Sequence, residues 1–219
     1  MSQDSPPSTF EIPTNLAEEY AIPLAKLIEQ NPSYDFVATG SLVFHQGRQL
    51  LIQRAASDSH PGRWENPGGG CDREDETILH AVARELWEET GLHVTRFVRQ
   101  VGGVVKFNSR SGKSIVKFSF EVEVSETGAL GGEGSSASSA AGAGADRQAG
   151  GESEIDLLQN LDKIPIRLDP KEHQAYIWAT EEQVLNGIIG DGNANTLGFI
   201  SEQQHHTTVE GFRLHLGKT

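Results

Sequence analysis

The chain has 219 residues, of which 36% are apolar, and a formal net charge of −13. That length carries one domain with a generous core, and so acidic a balance repels nucleic acid and anionic membrane surfaces rather than steering them in. A single cysteine, Cys71, excludes an internal disulfide, no apolar run approaches the length of a membrane span, and the opening MSQDSPPSTF has neither the basic nor the apolar region of a secretory signal, so a cytoplasmic protein is expected.

In chain order, residues 1–34 read as an N-terminal tail and a peripheral helix. The first 13 or so residues are expected to be disordered, and residues 15–30 to be helical, interrupted or started late by Pro23. Residues 36–44 and 49–53, joined by His45-Gln46-Gly47-Arg48, predict a hairpin of two core strands. A loop ending in Pro67-Gly68-Gly69-Gly70 follows, and such a run lets a backbone pass close to a ligand.

From Thr77 to Thr90 there is no Gly or Pro, and Leu79, Val82, Ala83 and Leu86 recur at helical spacing. Thr77 is the expected N-cap and Gly91 the left-handed residue that ends the helix, with Leu92 folding back onto it. At about 100° per residue, Glu85, Glu88 and Glu89 group away from the apolar stripe. Like charges at these spacings cost a few tenths of a kcal/mol per pair, so the group calls for a cation or full exposure to water. Mg²⁺ suits it, as a hard ion that takes carboxylate oxygens and bridges to substrate phosphates.

Beyond the helix, residues 94–100 and 104–107 read as strands, 109–112 as a turn, and 115–124 as a strand in which Val116, Phe118, Phe120, Val122 and Val124 alternate with polar residues. Residues 128–151 are almost all Gly, Ala and Ser with charged residues between them, and they are expected to form a flexible insertion. Structure resumes at Ile155. Residues 175–179 predict the last strand, and 181–186 and 196–203 short helices. Residues 35–219 are thus read as a single domain.

The window GCDREDETILHAVARELWEETGL places five residues between Gly70 and Glu76 and seven more before Arg84-Glu85-Leu86, then Glu88-Glu89 and Gly91-Leu92. This resembles the signature of Nudix hydrolases, with every defining position filled, and fixed residue types at fixed spacing make it a specific match. The resemblance implies an α/β fold of the Nudix α/β/α sandwich type with a mixed sheet, and hydrolysis of a diphosphate linked to another moiety. It implies Mg²⁺, or Mn²⁺ in its place, held by Glu85, Glu88, Glu89 and the Gly70 carbonyl. Arg84 is implied to pair with Glu76 and prop the loop against the helix. The partner is then a small-molecule diphosphate, with neither nucleic acid nor membrane involved, and the sequence does not speak to oligomeric state.

Other candidates lie around this core. Arg54 and Gly69 are candidate substrate contacts, Arg54 with an equal reading as a salt-bridge partner. Trp64 either packs the loop or stacks on a ligand. For the general base the sequence offers Glu172, Glu89 and Glu121, and His173 is either a partner of Glu172 or an exposed histidine. Cys71 reads as a loop thiol rather than a nucleophile. Isoprenoid-diphosphate isomerases share the fold, but they follow the tryptophan with Asn-Thr-Cys where this chain has Glu65-Asn66-Pro67. A non-catalytic binding module is the third reading, and such modules show eroded glutamates where none is eroded here. Nucleoside diphosphate derivatives are the default substrates, with small organic or isoprenoid diphosphates beside them.

Overall fold

The structure is a computed structural model that describes residues 9–109, 111–128, 161, 163–189 and 196–218. The expected insertion at 128–151 lies outside this set save for Gly128, as does Ile155. The expectation of disorder in the first 13 residues fails for 9–13, because Phe10 packs against His80 and Phe97 with ring centroids 5.0 Å away, and Glu11 bridges to Arg96. Apolar side chains that reach the core tie down what polarity alone would leave loose.

Helices α1 (Thr14–Tyr20) and α2 (Leu24–Gln30) each start after a proline, Pro13 and Pro23. A proline there gives up no helical hydrogen bond. Their buried residues Leu16, Tyr20, Leu24 and Leu27 belong to the main hydrophobic cluster.

Strands β1 (Phe36–His45) and β2 (Arg48–Arg54) form the expected hairpin, turned by Gln46 and Gly47 at φ 49° and 71°. β3 (Trp64–Glu65) and β6 (His173–Thr180) both pair antiparallel with β2. β1 runs parallel to β5 (Ser114–Val124), which pairs antiparallel with β4 (Val94–Asn108), so the sheet is mixed with the order β3-β2-β1-β5-β4. β4 is one strand rather than the two expected. Its register shifts between Val101 and Val105, where Gly102 and Gly103 take positive φ, and the irregularity bends the strand without ending it.

Helix α3 (Ile78–Thr90) packs over β1, a four-residue helix α4 (Ser125–Gly128) follows β5, and α5 (Glu181–Asn186) follows β6. The last helix was misplaced by the sequence reading. α6 runs Glu202–His215, starting at the Ser201 cap, while Thr196 stands in an isolated bridge to Ile188. α6 lies against β4 and β1. The two hydrophobic clusters, one containing Leu79, Val82 and Leu86 and the other Trp64 and Phe212, fill the two layers of an α/β/α sandwich. No described helix is long and apolar enough to cross a membrane.

Candidate active site

Residues 67–71 are stitched to β1 almost as another strand. The Thr39 N–H donates to the Gly69 carbonyl at 2.8 Å, Ser41 N–H to Pro67 O at 2.8 Å, and Cys71 N–H to Val37 O at 2.9 Å. Only glycine fits at 68, where φ is 144° and a Cβ would stand 2.3 Å from the Thr39 oxygen. At 69 a Cβ would stand 2.6 Å from the Glu85 carboxylate. Gly68→Ala is therefore expected to cost more than about 2 kcal/mol of stability, read from the denaturant midpoint, through backbone strain and overpacking together.

The helix below the loop is capped as expected. The Thr77 hydroxyl accepts from the His80 N–H, and Gly91 closes the helix at φ 74° with its N–H on Trp87 O at 2.8 Å. Its three glutamates do not share one environment. Glu88 is half-exposed, Glu85 largely covered, and Glu89 only 5% exposed. Glu89 accepts the Gly68 N–H at 2.6 Å and lies 3.7 Å from His173 Nε2. Burial pushes the Glu89 carboxyl up to about 8, against the pull of His173 and the Gly68 hydrogen bond. Burial raises Glu85 as well.

Arg84 does not pair with Glu76. Its fork takes Asp75 bidentately at 3.0 and 2.9 Å and reaches the Gly70 carbonyl at 2.9 Å, Glu85 at 2.8 Å and Glu88 at 2.9 Å. Glu76, 80% exposed at its side chain, leans instead on His80 at 3.7 Å. The turn in which the Asp75 N–H donates to Asp72 O directs the shorter carboxylate inward, where it meets the planar guanidinium edge-on. Arg84 still props the loop against the helix, through a different acid.

Facing Glu89 from β6 and the loop before it are His173 and Glu172. One ligand atom from each of Glu89, Glu172 and His173 lies within 4.8 Å of the others, while Glu172 stays open to solvent. His173 is not the exposed histidine of one reading: it is 1% exposed, with Nε2 3.3 Å from Glu65 Oε1. Burial works against its proton, but the Glu65 hydrogen bond and the Glu89 charge outweigh it and raise its pKa. Burial likewise opposes the Glu65 charge, yet His173, Lys117 and Arg54 hold that carboxyl below the usual range.

Glu65 is the residue the sequence reading missed. A Glu between Trp64 and Asn66 in a loop-like stretch carries no periodic signal, and only the pairing of β3 with β2 turns it inward. Arg54 is engaged at both ends, 2.5 Å from Glu65 and 2.6 Å from Asp58, so its salt-bridge reading is the one seen. Trp64 packs with Leu51, Ala179 and Phe212 rather than facing the carboxylates. Glu121 is 5% exposed and held by Arg99 at 2.9 Å and His215 at 2.8 Å, and it has no described contact with Glu89. Burial and Asp75 push the Cys71 thiol up to about 12, in keeping with an inert loop thiol.

A family model described as the NUDIX domain matches residues 35–142. The chain is a Nudix-domain protein. Among curated proteins, it is 40% identical over 85 residues to a MutT-like protein of Streptomyces ambofaciens, covering 39% of this chain and 51% of that one. It is 41% identical over 54 residues to an RNA pyrophosphohydrolase of Bartonella tribocorum, covering 25% and 31%. The chain thus spans about half or less of these relatives. Among solved structures, the solution structure of the E. coli ORF135 protein superposes with a TM-score of 0.50 over 84% of this chain and 92% of that one. At 18% identity that likeness speaks for the fold alone. The Nudix helix is α3, and the Nudix glycine loop is the segment bound to β1.

Proposed function

We propose that this Nudix protein hydrolyses the diphosphate linkage of a nucleoside diphosphate derivative or a related small organic diphosphate, giving X–P and phosphate or a nucleoside monophosphate. The observation that carries the reading is Glu89, a buried carboxylate on the Nudix helix facing Glu172 and His173. The names of the relatives support the chemistry, while a net charge of −13 speaks against RNA as the substrate.

The donors fit a hard divalent cation. Glu85, Glu88, Glu89 and the Gly70 carbonyl offer only oxygens, as Mg²⁺ requires, and Mn²⁺ accepts the same set with His173 near Glu89. A carboxyl raised by burial, as Glu89 is, lacks the positive charge such an ion supplies. When bound, the ion polarises phosphate oxygens and acidifies a water.

The chain's own residues do the rest. Glu172, exposed and beside Glu89, takes a proton from the attacking water. The water oxygen bonds to phosphorus as the P–O bond to the bridging oxygen breaks, and that oxygen leaves with the departing phosphate. Gly68 fixes the Glu89 carboxylate through its N–H, and Glu65 fixes the His173 ring behind it. Arg84 holds the Gly70 carbonyl and the Glu85 and Glu88 carboxylates in one arrangement.

The test is product release from nucleotide, dinucleotide, sugar-nucleotide, coenzyme A and prenyl diphosphates, with Mg²⁺ or Mn²⁺ and with EDTA. Phosphate or monophosphate release that requires the metal is expected from at least one class. Undiminished turnover in EDTA overturns the mechanism.

A further inference from the structure

The sequence offered Arg54 as a candidate substrate contact or, equally, a salt-bridge partner, and the structure ties it to two carboxylates. Another cation is placed differently. Lys117 on β5 stands in register with Ala38 of the parallel β1, and its chain lies across that strand over Gly40. A Cβ at Gly40 would be 3.0 Å from Lys117 Cε and 3.6 Å from Nζ, so the bare backbone at 40 is what lets the lysine lie flat on the sheet. The far side of Gly40 belongs to the glycine loop. Its Cα lies 2.7 Å from where a Gly68 Cβ would stand, and the Gly68 N–H is the donor to Glu89. The ammonium therefore sits one backbone crossing from the loop that holds the buried glutamate.

Two further facts set Lys117 apart. In a chain with 31 acidic and 18 basic residues, no hydrogen bond or close ion pair to a described residue holds its ammonium, whose charge reaches Glu65 only from further off. It also lines a cavity of about 370 Å³ between the sheet and the start of α6, together with Ala38, Val105, Phe107, Ile200 and Gln204. A volume of this size receives a small molecule. A half-covered ammonium with three donors and no hydrogen-bonded acid, between such a cavity and a carboxylate centre, matches a phosphate oxygen that arrives with the ligand.

We propose that Lys117 is the phosphate-binding residue of this site, its ammonium taking an oxygen of the diphosphate while the other side of that group faces Glu89 and Glu172. The assignment rests on the diphosphate reading above. Lys117 makes no close side-chain bond within the described protein, and Glu65, on which its charge acts from further off, keeps Arg54 and His173, so Lys117→Met and Lys117→Gln should stay close to the parent's melting temperature.

The decisive measurement is calorimetric titration of imidodiphosphate, which cannot be hydrolysed, into parent, Lys117→Met, Lys117→Gln and Lys117→Arg proteins with Mg²⁺ present. Loss of one charge-assisted contact should weaken binding about ten- to a hundredfold in the Met and Gln variants, with Arg restoring most of it. On a substrate found in the product screen, KM should rise by a similar factor and kcat change less. Binding by both neutral variants within about threefold of the parent would show a solvated surface lysine and overturn the assignment, leaving the hydrolase reading intact. A parent protein that neither binds imidodiphosphate nor hydrolyses any diphosphate tested overturns the proposed function and this assignment together.

Discussion

Replacing Glu89 by Gln is expected to lower the hydrolysis rate by about 10²-fold or more and to weaken metal binding, because it removes an anionic ligand where charge develops in the transition state. The loss should not come from unfolding. Glutamine keeps an acceptor for the Gly68 N–H, and in metal-free protein the Glu89 charge is itself a burden. Its carboxyl is pushed from 4.5 up to about 8 in the folded state by burial, so the folded protein holds this proton more tightly than the unfolded chain. The corresponding stability is complete below the unfolded value and is lost as pH rises toward 8. In EDTA, the Glu89→Gln melting temperature should therefore gain on the parent's as pH is raised through that window. Turnover within a few-fold of the parent in Mg²⁺ would remove Glu89 from the mechanism.

The second large effect is expected at Glu172. Its carboxylate lies near Glu89 and His173 yet stays open to water, as a base that meets a solvent nucleophile must. Glu172→Gln should cost about 10²- to 10⁴-fold in rate and leave metal affinity close to the parent's. If rate and metal affinity fall together, Glu172 is a ligand and not the base. If neither changes, the role passes to Glu89, since Arg99 and His215 already hold Glu121.

What could be read from the sequence was whatever local periodicity and capping decide. The Nudix helix is bounded by Thr77 and Gly91 because a hydroxyl cap and a left-handed glycine are local devices, and the alternation of β5 marks the apolar face that enters the main cluster. The family signature named the glutamates, but their separate fates depend on distant chain. Glu89 is buried by β6 and the glycine loop, and Glu88 by nothing comparable. Arg84 chose Asp75 over Glu76 through a turn geometry that residue spacing does not encode. α6 escaped notice because its buried face includes Gln204, Thr207, Thr208 and Gly211, so no apolar stripe marks it. Gly211 would put a Cβ 2.3 Å from Leu42, and that close approach replaces bulky side chains as the packing contact.

Asn66, just before the glycine loop, is fully buried, and its side-chain oxygen accepts from Gln49 Nε2 at 2.7 Å and from the Thr208 hydroxyl of α6 at 3.2 Å. One amide thus ties the second strand, the loop that borders the carboxylates, and a helix lying beyond the matched 35–142 segment. The C-terminal helix is consequently not an interchangeable module. Exchanging it for another helix to reshape the cavity would break the Asn66 link at Thr208 and loosen the loop under Glu89, unless Gln49, Asn66 and Thr208 were transplanted as a set.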